Sequence, residues 1–212
     1  RRALARRKDA ALTFLDPTTG AATGRLIAIA PPGTSKLTVD RVTLVDTESD
    51  TLAVFFYRVT YPESGLQPER DEMRVQAQSR ASGQHTLDTA VTLGGDEWLR
   101  DGWSRTDVAV VDARGYVVVN YDPGSGDDRH LFHVLGLVPG LATWTVAEDC
   151  CRESIAALAI NGGVLLASRI GRDDELRGYD LTTGQQLWRQ PYDRGTIRMD
   201  HPRCAVRHEG TF

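Results

Sequence analysis

Lysine is nearly missing from this chain. Of its 25 basic residues only Lys8 and Lys36 are lysines, a bias that reads as the codon usage of a GC-rich genome rather than a phosphate-binding signal. The net charge is -4 and the pI about 5.7, so no basic field is on hand to hold nucleic acid. No apolar run approaches the roughly 18 residues a bilayer-crossing helix needs. Cysteine is scarce too. Cys150, Cys151 and Cys204 are an odd number, which forms no complete disulfide framework. No CxxC pair exists, which excludes a zinc site of ordinary spacing. Cys204 can bridge to either neighbour, Cys150 and Cys151 can bridge each other, or all three thiols stay free. The chain also lacks a Ser-His-Asp set, a nucleophile elbow and a phosphate-cradling glycine loop. Helical periodicity is missing: only 1–11 has helical composition, and it carries no wide apolar stripe. That segment, RRALARRKDAA, has no Met and no apolar stretch behind its charges. It is not an intact signal peptide and reads as a solvated basic tail, with a juxtamembrane flank as the alternative.

What the chain does have is short runs of Val, Ile, Thr, Tyr and Phe between turns, the make-up of β-strands. The clearest stretch is 155–190. An apolar run at 155–160 reaches Asn161-Gly162-Gly163, a second follows at 164–170 and a third at 176–180. Thr182-Thr183-Gly184 then turns the chain into Gln186-Leu187-Trp188. Asn-Gly and Thr-Gly turns between period-two runs predict hairpins, hence a four-stranded antiparallel blade. The same order recurs at 106–146, where VAVVD turns through Arg114-Gly115 into YVVVNYD, and HLFHVLGL and TWTV supply two more strands. A longer unit has strands at 42–45, 51–60, 72–79 and 85–93, extended by a polar loop at 61–71 (YPESGLQPERD). Asp16-Pro17-Thr18-Thr19-Gly20 repeats Asp180-Leu181-Thr182-Thr183-Gly184, each between two short strands.

Four strands per roughly 40–45 residues is the blade period of propellers. The expected organisation is a basic tail at 1–11 and an all-β propeller domain at 12–212 with no dividing linker. Its blades are a partial one at about 12–30, then about 37–94, 105–147 and 154–190, with a further strand opening at about 203. About four four-stranded antiparallel blades stand at the lower limit for a closed ring. An incomplete ring would expose blade faces and favour self-association.

The sequence DLTTGQQLW at 180–188 resembles the repeat of the PQQ-like (quinoprotein-type) β-propellers, whose blade signature is Ala-x-Asp-x-x-Thr-Gly-x-x-x-Trp. The resemblance implies that the Asp and Thr-Gly close the turn between third and fourth strands, and that the Trp packs between neighbouring blades. Tyr179 replaces the usual small residue. Asp16, Thr19 and Gly20 match the same turn without a following Trp, and Trp144, after Gly140, serves as the blade tryptophan of the third unit. The family includes quinone-dependent alcohol dehydrogenases, outer-membrane assembly lipoproteins and sensor domains of bacterial kinases. The motif therefore implies a fold and not a chemistry. It also implies an extracytoplasmic or cell-envelope location, which the adjacent cysteines suit.

Two constellations hold the candidate functional residues. Cys150 and Cys151 lie just before the first strand of a blade, where quinoprotein dehydrogenases carry a vicinal pair against the cofactor. By that resemblance they would face a PQQ ring, with calcium polarising the quinone. The Asn-Arg-Gly that the enzymes carry soon after the pair is missing, and no calcium ligand set is identifiable. The second constellation is GGDEWLRDGWSR, with Trp98, Arg100, Asp101 and Trp103 beside Asp96 and Glu97. Stacking and bidentate pairing suit a sugar or a partner chain there; the bland alternative is a long connection whose tryptophans cover the core. Asp122, Asp127 and Asp128 lack the spacing of a calcium loop. His130 and His133 sit three apart in a strand and point to opposite faces. His201 and His208 flank Cys204 by composition only. No catalytic set, metal site or cofactor is assigned. The reading is a non-enzymatic propeller scaffold that presents rim loops to a protein or a small envelope ligand. The alternatives are a fragment of a PQQ-dependent dehydrogenase and an extracytoplasmic sensor domain of a membrane protein.

Overall fold

The structure, a computed structural model, describes residues 4–8, 10–91, 103, 106–121, 130–147, 154–171 and 173–192. Every regular element among them is a strand. A first sheet of three holds β1 (Leu4–Lys8), β2 (Ala11–Leu15) and β3 (Ala22–Ile27). A second holds β4 (Lys36–Asp46), β5 (Thr51–Tyr61), β6 (Arg70–Ser79) and β7 (His85–Ala90). A third holds β8 (Thr106–Asp112), β9 (Tyr116–Tyr121), β10 (Leu131–Gly136) and β11 (Trp144–Ala147). A fourth holds β12 (Ser154–Asn161), β13 (Val164–Ile170), β14 (Glu175–Asp180) and β15 (Gln186–Pro191). Each is a meander of consecutive antiparallel neighbours, so the fold class is all-β, built of propeller-type blades. Residues 4–8, expected within a basic tail of helical composition, are a strand that pairs from Leu4↔Leu15 to Lys8↔Ala11. The strand expected from about 203 lies outside the described residues.

Burial falls from the middle of each sheet to its last strand. From Leu52 to Tyr57 no residue of β5 is more than 2% exposed, so this strand is covered on both faces. Its run LAVFFY is continuous rather than alternating for that reason. In β15, by contrast, every residue is exposed. The chain divides into two compact units. One comprises Arg1–Thr106, Val111–Val117 and Gly136–Leu141, the other Asp107–Val110, Val118–Leu135 and Ala142–Phe212. The core of the first joins Leu12, Phe14, Leu26 and Ala28 to Val39, Ala53, Phe55, Tyr57 and Val59. In the second, Phe132, Val134, Leu165, Ala167 and Leu181 are fully buried.

One turn is built three times. In the 16–20 turn, Asp16 Oδ1 accepts the backbone N–H of Thr18 and of Thr19, each at 2.8 Å, and the Thr19 hydroxyl at 3.1 Å. In the 180–184 turn, Asp180 Oδ1 accepts Thr182 N–H at 3.0 Å, Thr183 N–H at 2.8 Å and the Thr183 hydroxyl at 2.9 Å. A carboxylate that satisfies its own loop's donors closes the turn without help from elsewhere. The Thr19 N–H, then the Thr18 N–H and the Thr19 hydroxyl, hold the Asp16 carboxyl below its usual range. The third copy, 79–83, uses serines. Ser79 Oγ accepts Ser82 N–H at 3.0 Å, and Ser82 Oγ accepts Gln84 N–H at 3.2 Å. The backbone matches as well: Gly20, Gly83 and Gly184 each donate to the carbonyl four residues back at 2.8 Å. Their φ angles, 70°, 72° and 73°, are left-handed, which is why the position is glycine each time.

Candidate functional site

Most residues singled out from the sequence lie outside the described ones: Cys150, Cys151, Trp98, Arg100 and Asp101, with Asp122, Asp127, Asp128, His201, Cys204 and His208. Trp103 is described, and it is not offered to a ligand. It is 1% exposed, its indole N–H donates to the Tyr57 carbonyl at 3.1 Å, and its ring meets Phe56 edge-on at 4.8 Å. Its own carbonyl accepts the Thr106 hydroxyl at 2.8 Å. An indole spent on core packing and a backbone bond is no stacking platform, so this candidate is corrected to a core residue. Tyr179 needs a second correction. The small residue of the signature is Gly178, which pairs with Trp188; the pleat places Tyr179 on the other face, 3% exposed.

The tryptophan positions show what the repeated turn is for. Within the second unit, Trp144 lies over the 180–184 turn. Its N–H donates to the Leu181 carbonyl at 2.9 Å, and a Cβ added at Gly184 would stand 2.8 Å from its ring. Phe132 meets both Trp144 and Tyr179 edge-on, at 5.9 and 5.6 Å. Within the first unit, the 79–83 turn is touched more loosely, by Leu26 of β3 at 3.9 Å from a Cβ at Gly83. At Gly20 no described residue lies within 4 Å of that position.

The second sheet carries the densest polar cluster among the described residues. Arg74 donates to Glu72 at 2.5 Å, to Asp88 at 2.8 Å and to the Tyr57 hydroxyl at 3.2 Å, and Tyr57 donates to Asp88 at 3.0 Å. Burial, then the Asp88 charge, push the Tyr57 hydroxyl pKa up and keep it a donor. Burial opposes the Arg74 charge, but the bonds to Glu72, Asp88 and Tyr57 outweigh it and raise its pKa. Gln76, fully buried, accepts Ile29 N–H at 3.0 Å and donates to Ile29 O at 3.1 Å, while Gln78 donates to Ile27 O at 2.7 Å. The charges pair with one another across β5, β6 and β7, and the two glutamines tie β6 to Ile27 at the end of β3 and to Ile29 just beyond it. His133 bonds Thr145 Oγ1, and burial pushes its pKa down to about 4.

The element best placed to meet another molecule is the polar loop at 61–71. β5 and β6 run on past the core as a hairpin. Tyr61 pairs with Arg70, whose guanidinium lies 4.3 Å over the Tyr61 ring, and the Thr60 hydroxyl donates to Asp71 at 2.7 Å. Ser64 and Gln67 then exchange backbone bonds at 3.1 and 3.0 Å around Gly65, whose φ is 59°. At the tip Leu66 is 104% exposed, with Glu63 and Glu69 exposed on either side. A leucine held wholly in water by a stiff hairpin is a sequence signal that Ser-Gly-Leu-Gln between two prolines carried.

The cofactor implied by the resemblance finds no support in the described residues. The cysteine pair lies outside them, and no group of three His, Cys, Asp or Glu among them is disposed to hold a metal ion. No helix among the described residues is long and apolar enough to cross a membrane.

A scan against protein-family models gives no match, and no curated protein matches the chain. Among solved structures the chain is similar to a quinohemoprotein alcohol dehydrogenase from Pseudomonas putida HK5. The identity is 10% and the TM-score 0.41, over 86% of this chain and 35% of that one. It is also similar to a europium-containing methanol dehydrogenase, at 13% identity and a TM-score of 0.38, over 74% of this chain and 27% of that one. The chain thus spans 35% and 27% of the lengths of these two structures.

Proposed function

We propose that this chain is a non-enzymatic binding scaffold of propeller-type blades, working outside the cytoplasm and presenting the 61–70 hairpin to a protein partner. One observation carries the reading: Leu66 stands wholly in solvent at the tip of a hairpin stiffened by the Arg70–Tyr61 stack and the Ser64–Gln67 bonds. Preorganisation lowers the ordering cost of binding, and an exposed apolar anchor supplies its driving force. The acidic residues Glu63 and Glu69 beside it define the complement: an apolar cleft with a basic rim. The adjacent Cys150 and Cys151 suit an oxidising compartment.

The test is a binding titration with the protein that a photo-crosslinker at position 66 captures. Leu66→Asp is expected to weaken binding roughly 30-fold or more, the value of one buried leucine. Glu63→Lys with Glu69→Lys is expected to slow association and reduce its salt dependence. Unchanged binding by Leu66→Asp sinks the hairpin reading. Dye reduction with an alcohol by the purified chain, dependent on added PQQ and calcium, replaces the scaffold with a dehydrogenase.

A further inference from the structure

The chain holds two asparagines, and the fold treats them in opposite ways. Asn120 on β9 is half-buried and uses both ends of its carboxamide on Ala157 of β12. Its Nδ2 donates to the Ala157 carbonyl at 3.0 Å, and its Oδ1 accepts the Ala157 N–H at 2.8 Å. The residue that follows, Tyr121, is buried. Asn161 ends β12 exposed, and its carboxamide bonds to no described residue. Gly162 follows it. Asn161 pairs with Val164, so Gly162 and Gly163 are the two loop residues of the β12–β13 hairpin, with φ angles of 56° and 88°. Positive φ at both positions fits a type I′ turn. The Gly162 N–H donates to no described residue, and no described atom lies within 4 Å of the place its Cβ would take.

We propose that Asn161 is a site of spontaneous deamidation, and that the isoaspartate formed there unties the β12–β13 hairpin from the 180–184 turn. The nucleophile is the Gly162 backbone nitrogen, deprotonated by hydroxide. It attacks Cγ of Asn161. The N–Cγ bond forms, the Cγ–Nδ2 bond breaks and ammonia leaves, which closes a five-membered succinimide. Water then opens one of its two carbonyls, giving aspartate or isoaspartate, with no change of oxidation state. The attack requires Asn161 to leave its extended backbone angle. Its pair with Val164 is the last rung beside the loop, so a local opening is enough. Glycine at 162 brings no side chain into the approach and the widest choice of backbone angles. Asn120 must first release both bonds to Ala157.

The product alters a tie within the fourth sheet. Either isomer adds a negative charge to a chain already at -4. Isoaspartate also routes the main chain through its side chain, which adds one carbon at the mouth of a two-residue loop. The Gly163 carbonyl, which accepts the Leu181 N–H at 2.9 Å, is then displaced. The Leu181 carbonyl in turn holds the Trp144 indole, so the change reaches a packed tryptophan.

Peptide mapping of aged protein tests this, because trypsin separates the two asparagines into peptides 115–129 and 153–169. The chain is held at neutral and at alkaline pH, and fresh protein digested in parallel subtracts any loss during digestion. Peptide 153–169 is expected to gain the mass difference between amide and acid and to split into two isomers. An isoaspartyl methyltransferase should label one of them, and the rate should rise in proportion to hydroxide. Peptide 115–129 should react roughly tenfold more slowly or less, since two hydrogen bonds must break first. Asn161→Gln, whose ring would have six members, should keep its amide. Amide hydrogen exchange at Leu181 should be faster in the aged wild type than in fresh protein, and unchanged in Asn161→Gln aged beside it. An amide that persists at 161, equal loss at 120 and 161, or aspartate without isoaspartate overturns the proposal. So does exchange at Leu181 that ageing leaves unaltered.

Discussion

The indole N–H of Trp144 donates to the backbone carbonyl of Leu181, and the ring closes over Gly184 so tightly that a methyl group has no place there. The 16–20 turn repeats the turn's hydrogen bonds, with no described residue within 4 Å of a Cβ at its glycine. The pair gives a controlled comparison of one substitution in two surroundings.

Gly20→Ala should cost only the strain of a left-handed alanine, about 1–2 kcal/mol. Gly184→Ala should cost that and the displacement of Trp144, about 3 kcal/mol or more in total. Trp144→Phe should lose about 1 kcal/mol for the bond to Leu181. Urea unfolding of the variants, in dilute protein, checks the order. Equal losses at Gly20 and Gly184 would refute the packing of Trp144.

Removing the cation from the polar cluster should be severe. Arg74→Met leaves Glu72 and Asp88, with side chains 20% and 31% exposed, without their shared partner. Fully buried pairs lose about 3–5 kcal/mol when one partner goes, and the partial exposure here reduces that to about 2–3 kcal/mol. Arg74→Lys restores a charge without the fork that reaches both carboxylates, and should recover less than half. Thermal unfolding of both variants decides it.

Stability should fall on mild acidification because of His133. Burial holds its folded pKa at about 4, while the unfolded value is 6.5. Between those values the unfolded chain binds a proton that the folded chain refuses, so stability is complete above about pH 6.5 and declines as pH falls toward 4. The full contribution is on the order of 3 kcal/mol. Below about pH 4 this group takes no further part. Denaturant midpoints across the window should drop for the wild type and less for His133→Gln. Parallel curves would show that the histidine is not responsible.

Trp103 offers a check on the corrected assignment. Trp103→Ala should destabilise by about 3–5 kcal/mol, the range for a buried tryptophan. A surface platform would lose well under 1 kcal/mol on the same change. Trp103→Phe should fall between, since it keeps the edge contact with Phe56 and gives up the N–H to Tyr57.

The strands were legible because period-two runs and glycine turns are local facts. The expected starts and ends of the strands from 51 to 190 fall within a few residues of those observed. The turns at 16–20 and 180–184 were legible because Asp-x-Thr-Thr-Gly is one unbroken string. The 79–83 copy was missed because Ser79 and Ser82 do with hydroxyls what Asp and Thr do elsewhere, and chemistry survives where spelling does not. Trp103 takes the second of its two readings, a tryptophan that covers the core, and composition could not choose between them because it shows that an indole is present and not which way it faces. The hairpin at 61–70 was seen as a polar loop because one leucine among charges leaves no periodic trace. The clamp of Gln76 and Gln78 on β3 was out of reach, since it joins residues 47 and 51 positions apart.

That clamp also bears on solubility. β3 is an outer strand, and Ile27 at its end and Ile29 just beyond it stand 47% and 56% exposed, the combination that invites a foreign strand to add on and start a fibril. Addition needs free backbone groups as well as apolar side chains. Gln76 has already taken both the N–H and the carbonyl of Ile29, and Gln78 the carbonyl of Ile27. Two carboxamides thus take three of the backbone groups that a templated strand would need at this end of the edge.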